Sequence, residues 1–162
     1  MIFLTVGTQF PFDRLVRAID ELFDQGLLYE PVLAQIGGGT YQPRNFEAVA
    51  SLDRRAFECQ FQKSSAIIGH AGTGTITMAL DRGKPLLVMP RRKKYREHVN
   101  DHQVELAARF EALGHILVAR DETDLPPKMA ELKSFTPAPR RTNPDMVARR
   151  IVHFLESLPR RQ

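Results

Sequence analysis

Short runs of aliphatic and β-branched residues alternate along this chain with segments whose apolar residues recur at helical spacing. The short runs predict strands over residues 2–6, 31–36, 66–69, 86–89 and 116–118. The helical spacing predicts helices over residues 12–23, 54–64, 75–82, 101–113 and 143–158. Strands that alternate with helices favour right-handed crossovers. We therefore expect a Rossmann-like α/β fold, with a mainly parallel sheet and helices on both faces.

Three segments leave their local structure open. Residues 46–52 fit either a short strand or a helix. Five prolines predict a mostly irregular loop over residues 126–144, with a short helix over 128–132. The C-terminal segment 143–158 has an amphipathic helical pattern, which fits either contact with another chain or packing on the core. At 162 residues the chain has the size of one ordinary domain.

Composition narrows the class of protein. The single Cys59 excludes an internal disulfide and fits a reducing compartment. No apolar run approaches the ~20 residues of a membrane span, so we expect a cytoplasmic protein. The net charge of +4 includes five positive charges within six positions, so the rest of the chain sums to −1. These five are Arg91, Arg92, Lys93, Lys94 and Arg96. Such local basicity predicts one anionic partner, whether phosphate, acidic sugar or lipid headgroup, or else a solvated loop.

The stretch from Ile67 to Ile76 predicts a strand, a small-residue turn and the start of a helix. Gly72 and Gly74 permit close approach of a ligand to the backbone, and a helix N-terminus offers unpaired N–H groups to an anion. His70, Thr73 and Thr75 add side-chain donors at the same point. We therefore predict a phosphate site here. The alternative is a tight turn followed by an ordinary capped helix.

Two further segments belong to the same edge of the predicted sheet. Gly7 and Thr8 follow the first strand, where open α/β sheets hold their ligands, and Asp13 suits the first turn of the next helix. No G-x-G-x-x-G motif follows that strand, which argues against a NAD domain. The five histidines lack metal-ligand spacing with carboxylates, and we attribute the spacing of His98 and His102 to chance. No metal or other cofactor is predicted.

Taken together, these residues resemble the C-terminal, donor-binding half of GT-B glycosyltransferases of family 28. The resemblance covers roughly residues 1–114. It is carried by Val6-Gly7-Thr8 with Phe12-Asp13-x-Leu15, by Gly69-His70-Ala71-Gly72-Thr73-Gly74-Thr75-Ile76, by Gly83-Lys84-Pro85-Leu86, and by Asn100-Asp101-His102-Gln103 with Glu105-Leu106-Ala107. As a stand-alone chain it is similar to bacterial exopolysaccharide subunits of the PssE kind. It is also similar to the soluble subunit of the eukaryotic two-subunit N-acetylglucosaminyltransferase that acts on lipid-linked sugar.

The resemblance implies a role for each group of site residues. The donor diphosphate would be held by Gly7, Thr8, His70, Gly72, Thr73, Gly74 and Thr75. The donor sugar would be held by Asp101, His102 and Gln103. Arg91 and Arg92 are possible contacts for an anionic donor. Many relatives hold the nucleotide ribose with a carboxylate eight positions beyond the histidine, where this chain has Met78, so its ribose contact must differ.

We therefore expect an inverting UDP-sugar glycosyltransferase subunit of exopolysaccharide or capsule biosynthesis, needing no metal, with a lipid-linked saccharide as acceptor. The sequence leaves the donor sugar open among glucuronic acid, galactose, glucose and N-acetylglucosamine. A general base is missing from the predicted site, so we expect a membrane-associated partner subunit to supply it. The chain would then be cytoplasmic, held at the membrane by that partner. Two alternatives are a non-catalytic UDP or nucleotide-sugar binding module, and a protein that binds RNA or an anionic membrane through residues 91–96. Because Tyr95 is the one aromatic residue within that basic segment, we expect no nucleic-acid partner.

Overall fold

Six strands form one parallel sheet in a computed structural model that describes residues 1–140 and 144–158. The strands are Ile2–Thr5 (β1), Val32–Gln35 (β2), Glu47–Val49 (β3), Ala66–Gly69 (β4), Leu86–Val88 (β5) and Leu117–Val118 (β6). Their order is β3-β2-β1-β4-β5-β6, and every neighbouring pair is parallel. The expected Rossmann-like α/β fold is therefore confirmed. Residues 46–52, left open by the sequence, include the edge strand β3.

Among the described residues a helix follows each strand except β2, which leads directly to β3. The helices are Asp13–Asp24 (α1), Arg54–Lys63 (α2), Thr73–Asp81 (α3), His102–Ala112 (α4), Leu125–Leu132 (α5) and Pro144–Ser157 (α6). Short 3₁₀ turns cover Lys93–Tyr95 and Glu122–Asp124. Two helices begin two or more residues before their predicted starts. Helix α3 begins at Thr73, two residues before the predicted start.

The second difference concerns the proline-rich segment. The short helix predicted over 128–132 is present as α5, but it begins three residues earlier, and its first turn includes Pro126 and Pro127. Proline is tolerated there because the first N–H groups of a helix have no intrahelical acceptor. Residues 133–140 are irregular, as predicted.

Both faces of the sheet are covered by helices. On β1, Leu4 belongs to one buried cluster, with residues of α1 and α5, while Phe3 belongs to the other, with residues of α2, α3 and α4. Neighbouring strand residues point to opposite faces, so the continuous apolar runs of β1 and β4 are buried on both sides. This explains why their sequences do not alternate between apolar and polar residues.

The strand order creates a crevice between β1 and β4. From β1 the chain builds the sheet outward through β2 and β3, and from β4 it builds outward in the other direction. In open parallel sheets the carboxyl ends of the strands at such a switch point hold the ligand. The segments predicted to bind a ligand, at Gly7 and at His70, lie at these two strand ends.

The C-terminal helix α6 does not pack on the core. Its apolar residues Val147, Ile151, Phe154 and Leu155 are between 54% and 61% exposed. The alternative that this amphipathic helix packs on the core is therefore wrong. Asn143, the expected first residue of the helix, lies outside the described residues. Among those that are described, no helix is long and apolar enough to span a membrane.

Candidate functional site

The loop after β1 forms one wall of the crevice. Gly7 has a φ of +75°, a left-handed conformation that favours glycine, and its N–H donates to Thr5 Oγ1 at 3.3 Å. A Cβ at Gly7 would lie 2.8 Å from His70 Cε1. The turn after β1 therefore packs against the histidine that follows β4.

The opposite wall is the N-terminus of α3. The first hydrogen bond of this helix runs from the Ile76 N–H to the Gly72 carbonyl at 3.1 Å, and no side chain of the described residues caps the helix. The N–H groups of Thr73, Gly74 and Thr75 are thus left for a ligand. A Cβ at Gly74 would meet nothing within 4 Å, so open space lies beside this turn.

His70 lies between the two walls and is held there by glycines. A Cβ at Gly72 would overlap His70 Nε2, so a larger residue would displace the ring. Burial, together with the positive charge of Arg91, lowers the pKa of His70 from 6.5 to about 4. Its Nδ1 atom is buried and has no hydrogen bond of normal geometry among the described residues, although the Thr5 backbone lies close enough to oppose the fall in pKa. A neutral imidazole carries one N–H, and the tautomer protonated at Nε2 can donate it to an incoming anion.

A cavity of about 450 Å³, which we call the first cavity, opens between these walls. Its lining comprises Val6, Gly7, Thr8, Gln9, Phe10, His70, Ala71, Gly72, Thr73, Gly74, Thr75, Arg91, His98, His102, Gln103 and Leu106. The structure thus brings together every predicted diphosphate residue, both His102 and Gln103, and Arg91. It does not bring Asp101 or Arg92 into the lining.

Arg91 is a structural clamp of this cavity. Its side chain is only 2% exposed and donates from Nη2 to the Val6 carbonyl at 2.7 Å and to the Phe10 carbonyl at 2.5 Å. Its guanidinium lies 5.0 Å from the centre of the Phe12 ring. Burial lowers the pKa of Arg91 to about 10, which still leaves it charged at pH 7. Its charge therefore reaches the cavity while its hydrogen bonds hold the loop after β1.

Arg92 and Asp101 hold the basic loop rather than line the cavity. The Arg92 side chain donates to the Arg120 carbonyl at 2.8 Å. The Asp101 carboxylate accepts from the Lys93 N–H at 2.8 Å. Both therefore fix the segment that joins β5 to α4.

His98 and Phe10 line the first cavity, although neither was predicted to belong to the site. Their rings contact edge to face, with centroids 5.6 Å apart. His98 precedes α4, so its separation from His102 does not place the two on one helical face. Gln103 is buried, and its Oε1 accepts from the Arg91 N–H at 3.2 Å. Among the described residues no group of three potential metal ligands occurs.

A second cavity, also about 450 Å³, adjoins the first. The two share Gly7, Thr8 and Thr75 in their linings. Leu52 and Phe57 give the second cavity apolar walls, and the rest of its lining comprises Thr5, Gln35, Arg54, Glu58 and Met78. Its one carboxylate, Glu58, is bound by Arg54 Nε at 3.0 Å. The N–H groups of α3 therefore stand between two cavities of different character.

This arrangement suits a ligand with a central anionic group, a hydroxyl-rich half on one side and a half with a flat ring on the other. The amides of α3, its dipole and His70 would hold the anion. The first cavity presents imidazole and amide groups, which suit sugar hydroxyls. The second presents an aromatic ring, aliphatic groups and a carboxylate.

Comparison with known proteins gives concordant results. Residues 1–152 match the glycosyltransferase family 28 C-terminal domain. The chain is 35% identical over 124 residues to a human protein, UDP-N-acetylglucosamine transferase subunit ALG13, which covers 71% of this chain and 10% of the relative. The solution structure of ALG13 matches with a TM-score of 0.59 and 22% identity, covering 96% of each chain. The glycotransferase of kitacinnamycin matches with a TM-score of 0.60 and 20% identity, covering 96% of this chain and 38% of that one.

These likenesses differ in what they cover. The two structural matches, at this level of identity, concern the fold. The chain spans about a tenth of the length of the human relative.

Proposed function

We propose that this chain, which belongs to the glycosyltransferase family 28 C-terminal domain family, is the donor-binding subunit of an inverting UDP-sugar glycosyltransferase. It would work with a second protein that binds a lipid-linked saccharide acceptor. The observation that carries the proposal is the meeting of uncapped α3 amides, neutral His70 and the glycine turn after β1. A diphosphate fits this combination because each of its components donates hydrogen bonds to anionic oxygens.

The two cavities fit the two halves of a UDP-sugar. Its diphosphate would lie on the shared wall at Gly7, Thr8 and Thr75. The sugar would extend toward His102 and Gln103, and the nucleoside toward Phe57, where base stacking is available. Magnetisation transfer between the uridine H5 or H6 protons and the Phe57 ring would test this placement.

The main task of this chain in the reaction would be to stabilise the negative charge that develops on the departing diphosphate. The acceptor hydroxyl attacks the anomeric carbon, the carbon–oxygen bond to the diphosphate breaks, and the electron pair leaves with the diphosphate oxygen. The α3 amides and His70 would stabilise that charge without a metal ion. The acceptor proton needs a base. The lining of the first cavity, all of which lies in the described part of the chain, contains no carboxylate. Of its three histidines, the proposal uses His70 for the diphosphate and His102 for the sugar, while the ring of His98 packs on Phe10. We therefore assign the base to the partner.

The exposed apolar face of α6 is the surface we propose for that partner. Ile151 and Leu155 are 54% and 58% exposed, and burying such side chains against another chain stabilises a complex by about 1.5 to 3 kcal/mol each when burial is full. A partner anchored in the membrane would hold this chain at the cytoplasmic surface beside its acceptor. We further propose that the two proteins together act in exopolysaccharide or capsule assembly.

The relatives guide the choice of donor. The hydrogen bonds of Arg91 and Arg92 to backbone carbonyls use Nη2 alone, and each guanidinium keeps further N–H groups, so these contacts favour neither a neutral nor an acidic sugar. The relatives named above are UDP-N-acetylglucosamine transferase subunits. UDP-N-acetylglucosamine is therefore the donor that we propose first.

The direct test combines the chain with the product of the neighbouring gene and membrane-fraction acceptor, using a panel of UDP-sugars. We expect transfer from one donor only when both proteins are present, and we expect Ile151→Asp with Leu155→Asp to abolish it while UDP binding persists. The control is Arg55→Asp with Lys63→Asp, which adds the same acidic groups at two exposed positions of α2 that line neither cavity and should leave both transfer and UDP binding as in the parent. Full transfer by this chain alone would contradict the proposal. UDP binding without transfer in any combination would favour a non-catalytic nucleotide-sugar binding module.

A further inference from the structure

A cluster of cationic and apolar side chains lies beside the first cavity, outside the ligand contacts described above. We call it the rim, and it consists of Phe10, Lys93, Lys94, Tyr95, Arg96 and Val99. All six residues are exposed, with Phe10 at 40%, Tyr95 at 45% and Val99 at 70%. Phe10 also lines the cavity, and Val99 follows His98, which lines it too. The rim therefore borders the entrance to the proposed donor site.

The backbone of the rim is held in place from inside. The Glu97 carboxylate accepts from the Arg92 N–H at 3.0 Å and from Arg14 Nη2 at 2.8 Å. Arg96 has a φ of +59°, a left-handed conformation that costs a non-glycine residue about 1 to 2 kcal/mol. Persistence of this conformation fits a loop built to present particular side chains.

The cations of the rim have no acidic partner. Within the described residues, no ion pair involves the side chains of Lys93, Lys94 or Arg96, and Lys94 Nζ lies 4.5 Å from the centre of the Tyr95 ring. The two acidic residues of the same loop, Glu97 and Asp101, accept hydrogen bonds from Arg14 and from backbone N–H groups. Three positive charges consequently face solvent without neutralisation.

We propose that the rim docks this chain directly on an anionic phospholipid surface. Lysine and arginine are attracted to acidic headgroups, while exposed tyrosine, phenylalanine and valine side chains partition into the interfacial layer. Three cations alone give weak, reversible attraction, and the apolar residues add the second signal that stable contact needs. The combination of charge and apolar groups on one fixed loop matches this surface.

RNA is the less favoured occupant of the rim. Recognition of single-stranded RNA needs free aromatic faces for base stacking. The Tyr95 ring already has the Arg14 guanidinium and the Lys94 ammonium within 4.5 Å of its centre.

Docking by the rim would orient the molecule as well as attach it. The rim and the first cavity lie at the same edge of the sheet, where α4 begins. Contact there would turn the donor site toward the membrane, independently of any partner bound to α6. This inference goes beyond the proposed function, because it concerns lipid headgroups and not the nucleotide.

The test is flotation of the full chain with vesicles of phosphatidylcholine containing phosphatidylserine, compared with phosphatidylcholine alone. The variant Lys93→Ser with Lys94→Ser and Arg96→Asn removes the three charges, and asparagine tolerates the left-handed conformation. We expect binding to acidic vesicles to fall by roughly 100-fold, about 5-fold for each cation removed. Raised salt should also weaken the binding of the parent chain to acidic vesicles.

A matched control removes three exposed cations elsewhere, as Lys63→Ser, Arg109→Ser and Lys133→Ser. Lys63 ends α2 and Lys133 follows α5, at the opposite edge of the sheet, so this control should keep at least half of the binding. UDP affinity, measured by calorimetry, should match the parent in both variants. If the parent chain does not bind UDP, the proposed function is contradicted, whereas the rim proposal is unaffected.

Three results would overturn the rim proposal. The first is equal binding of the rim variant and the parent, including the case in which Ile151→Asp with Leu155→Asp removes binding, since α6 would then be the membrane contact. The second is release of the chain from acidic vesicles by soluble glycerophosphoserine at the same headgroup concentration as the vesicles, which would indicate a site for the free phosphate compound. The third is tighter binding of single-stranded RNA than of acidic vesicles.

Discussion

At the scale of single residues, His70 determines the character of the site. Gly7 and Gly72 leave just enough space for its ring, and burial keeps it neutral at pH 7. A charged imidazole would attract the diphosphate more strongly, but a buried charge beside Arg91 is unfavourable in the empty site. Binding of an anion should raise the pKa of His70, because a negative charge nearby favours the protonated imidazole.

The low pKa of His70 makes stability depend on pH. The unfolded chain binds a proton at this imidazole below pH 6.5, whereas the folded protein does so only near pH 4. The free energy of unfolding should therefore rise with pH across that window. We expect the rise in the parent to exceed that in His70→Gln by about 2 to 3 kcal/mol, at about 1.4 kcal/mol per pKa unit. Urea unfolding at pH 4.5 to 7 measures it, and parallel curves for the two proteins would contradict the assigned burial.

Arg91 shows that the residues of one basic run can have different roles. Five cations in six positions predict an anionic partner, yet two of them bind carbonyls of their own chain. The acceptor of Arg91, the Val6 carbonyl, is 85 positions away in sequence. Nothing local in the run distinguishes this arginine from Arg96, which faces solvent. Long-range contacts of this kind decide which side chain enters a site.

At the scale of elements, α1 holds the loop that joins β2 to β3. Asp20 is fully buried, and its carboxylate accepts from the Tyr41 hydroxyl at 2.7 Å and from the N–H groups of Arg44 and Asn45 at 3.0 and 2.9 Å. These hydrogen bonds outweigh desolvation and lower the pKa of Asp20. Asp13, predicted only to favour the helix dipole, also accepts from the Thr40 N–H at 3.0 Å.

Removing the Asp20 carboxylate should destabilise the fold more than removing a neighbouring acid. Asp20→Ala leaves three donors without their acceptor, so we expect a loss of about 2 to 4 kcal/mol in the free energy of unfolding. Asp24→Ala is the control, because Asp24 is 45% exposed and its ion pair with Arg44 should be worth less than about 1 kcal/mol. Equal losses in urea unfolding would show that the loop does not depend on Asp20.

Elements with a strong local pattern of apolar residues were predictable. Elements or boundaries that depend on tertiary contacts or on the exact position of a residue were not. The aliphatic runs of β1 and β4 and the apolar spacing of α1 needed no tertiary information. The edge strand β3 has three residues, too few to show a period. Helix α5 carries its two prolines in the first turn, where their missing N–H groups do no harm, and a proline count alone gives the opposite impression.

At the scale of the whole molecule, the strand order places the site. The meeting of the turns at Gly7 and His70 at one edge of a parallel sheet was predictable from the alternation of strands with helices, and their role in binding a ligand stays a prediction. The presence of His98 and Phe10 beside them was not predictable, because a loop without periodicity gives no sign of its path. The sequence therefore indicated which turns meet in the first cavity better than it indicated the surroundings of the proposed sugar.

The central claim is that the N-terminus of α3 holds a diphosphate, and UDP calorimetry on Gly74→Asp tests it most directly. The new carboxylate meets no protein atom, since a Cβ at Gly74 has open space, and Gly38→Asp is a matched control because Gly38 is equally open and lies outside both cavities. We expect UDP affinity to fall at least about 100-fold in Gly74→Asp, because like charges brought together cost several kcal/mol, and to stay within about twofold of the parent in Gly38→Asp. Unchanged UDP affinity in a folded Gly74→Asp protein would contradict the account.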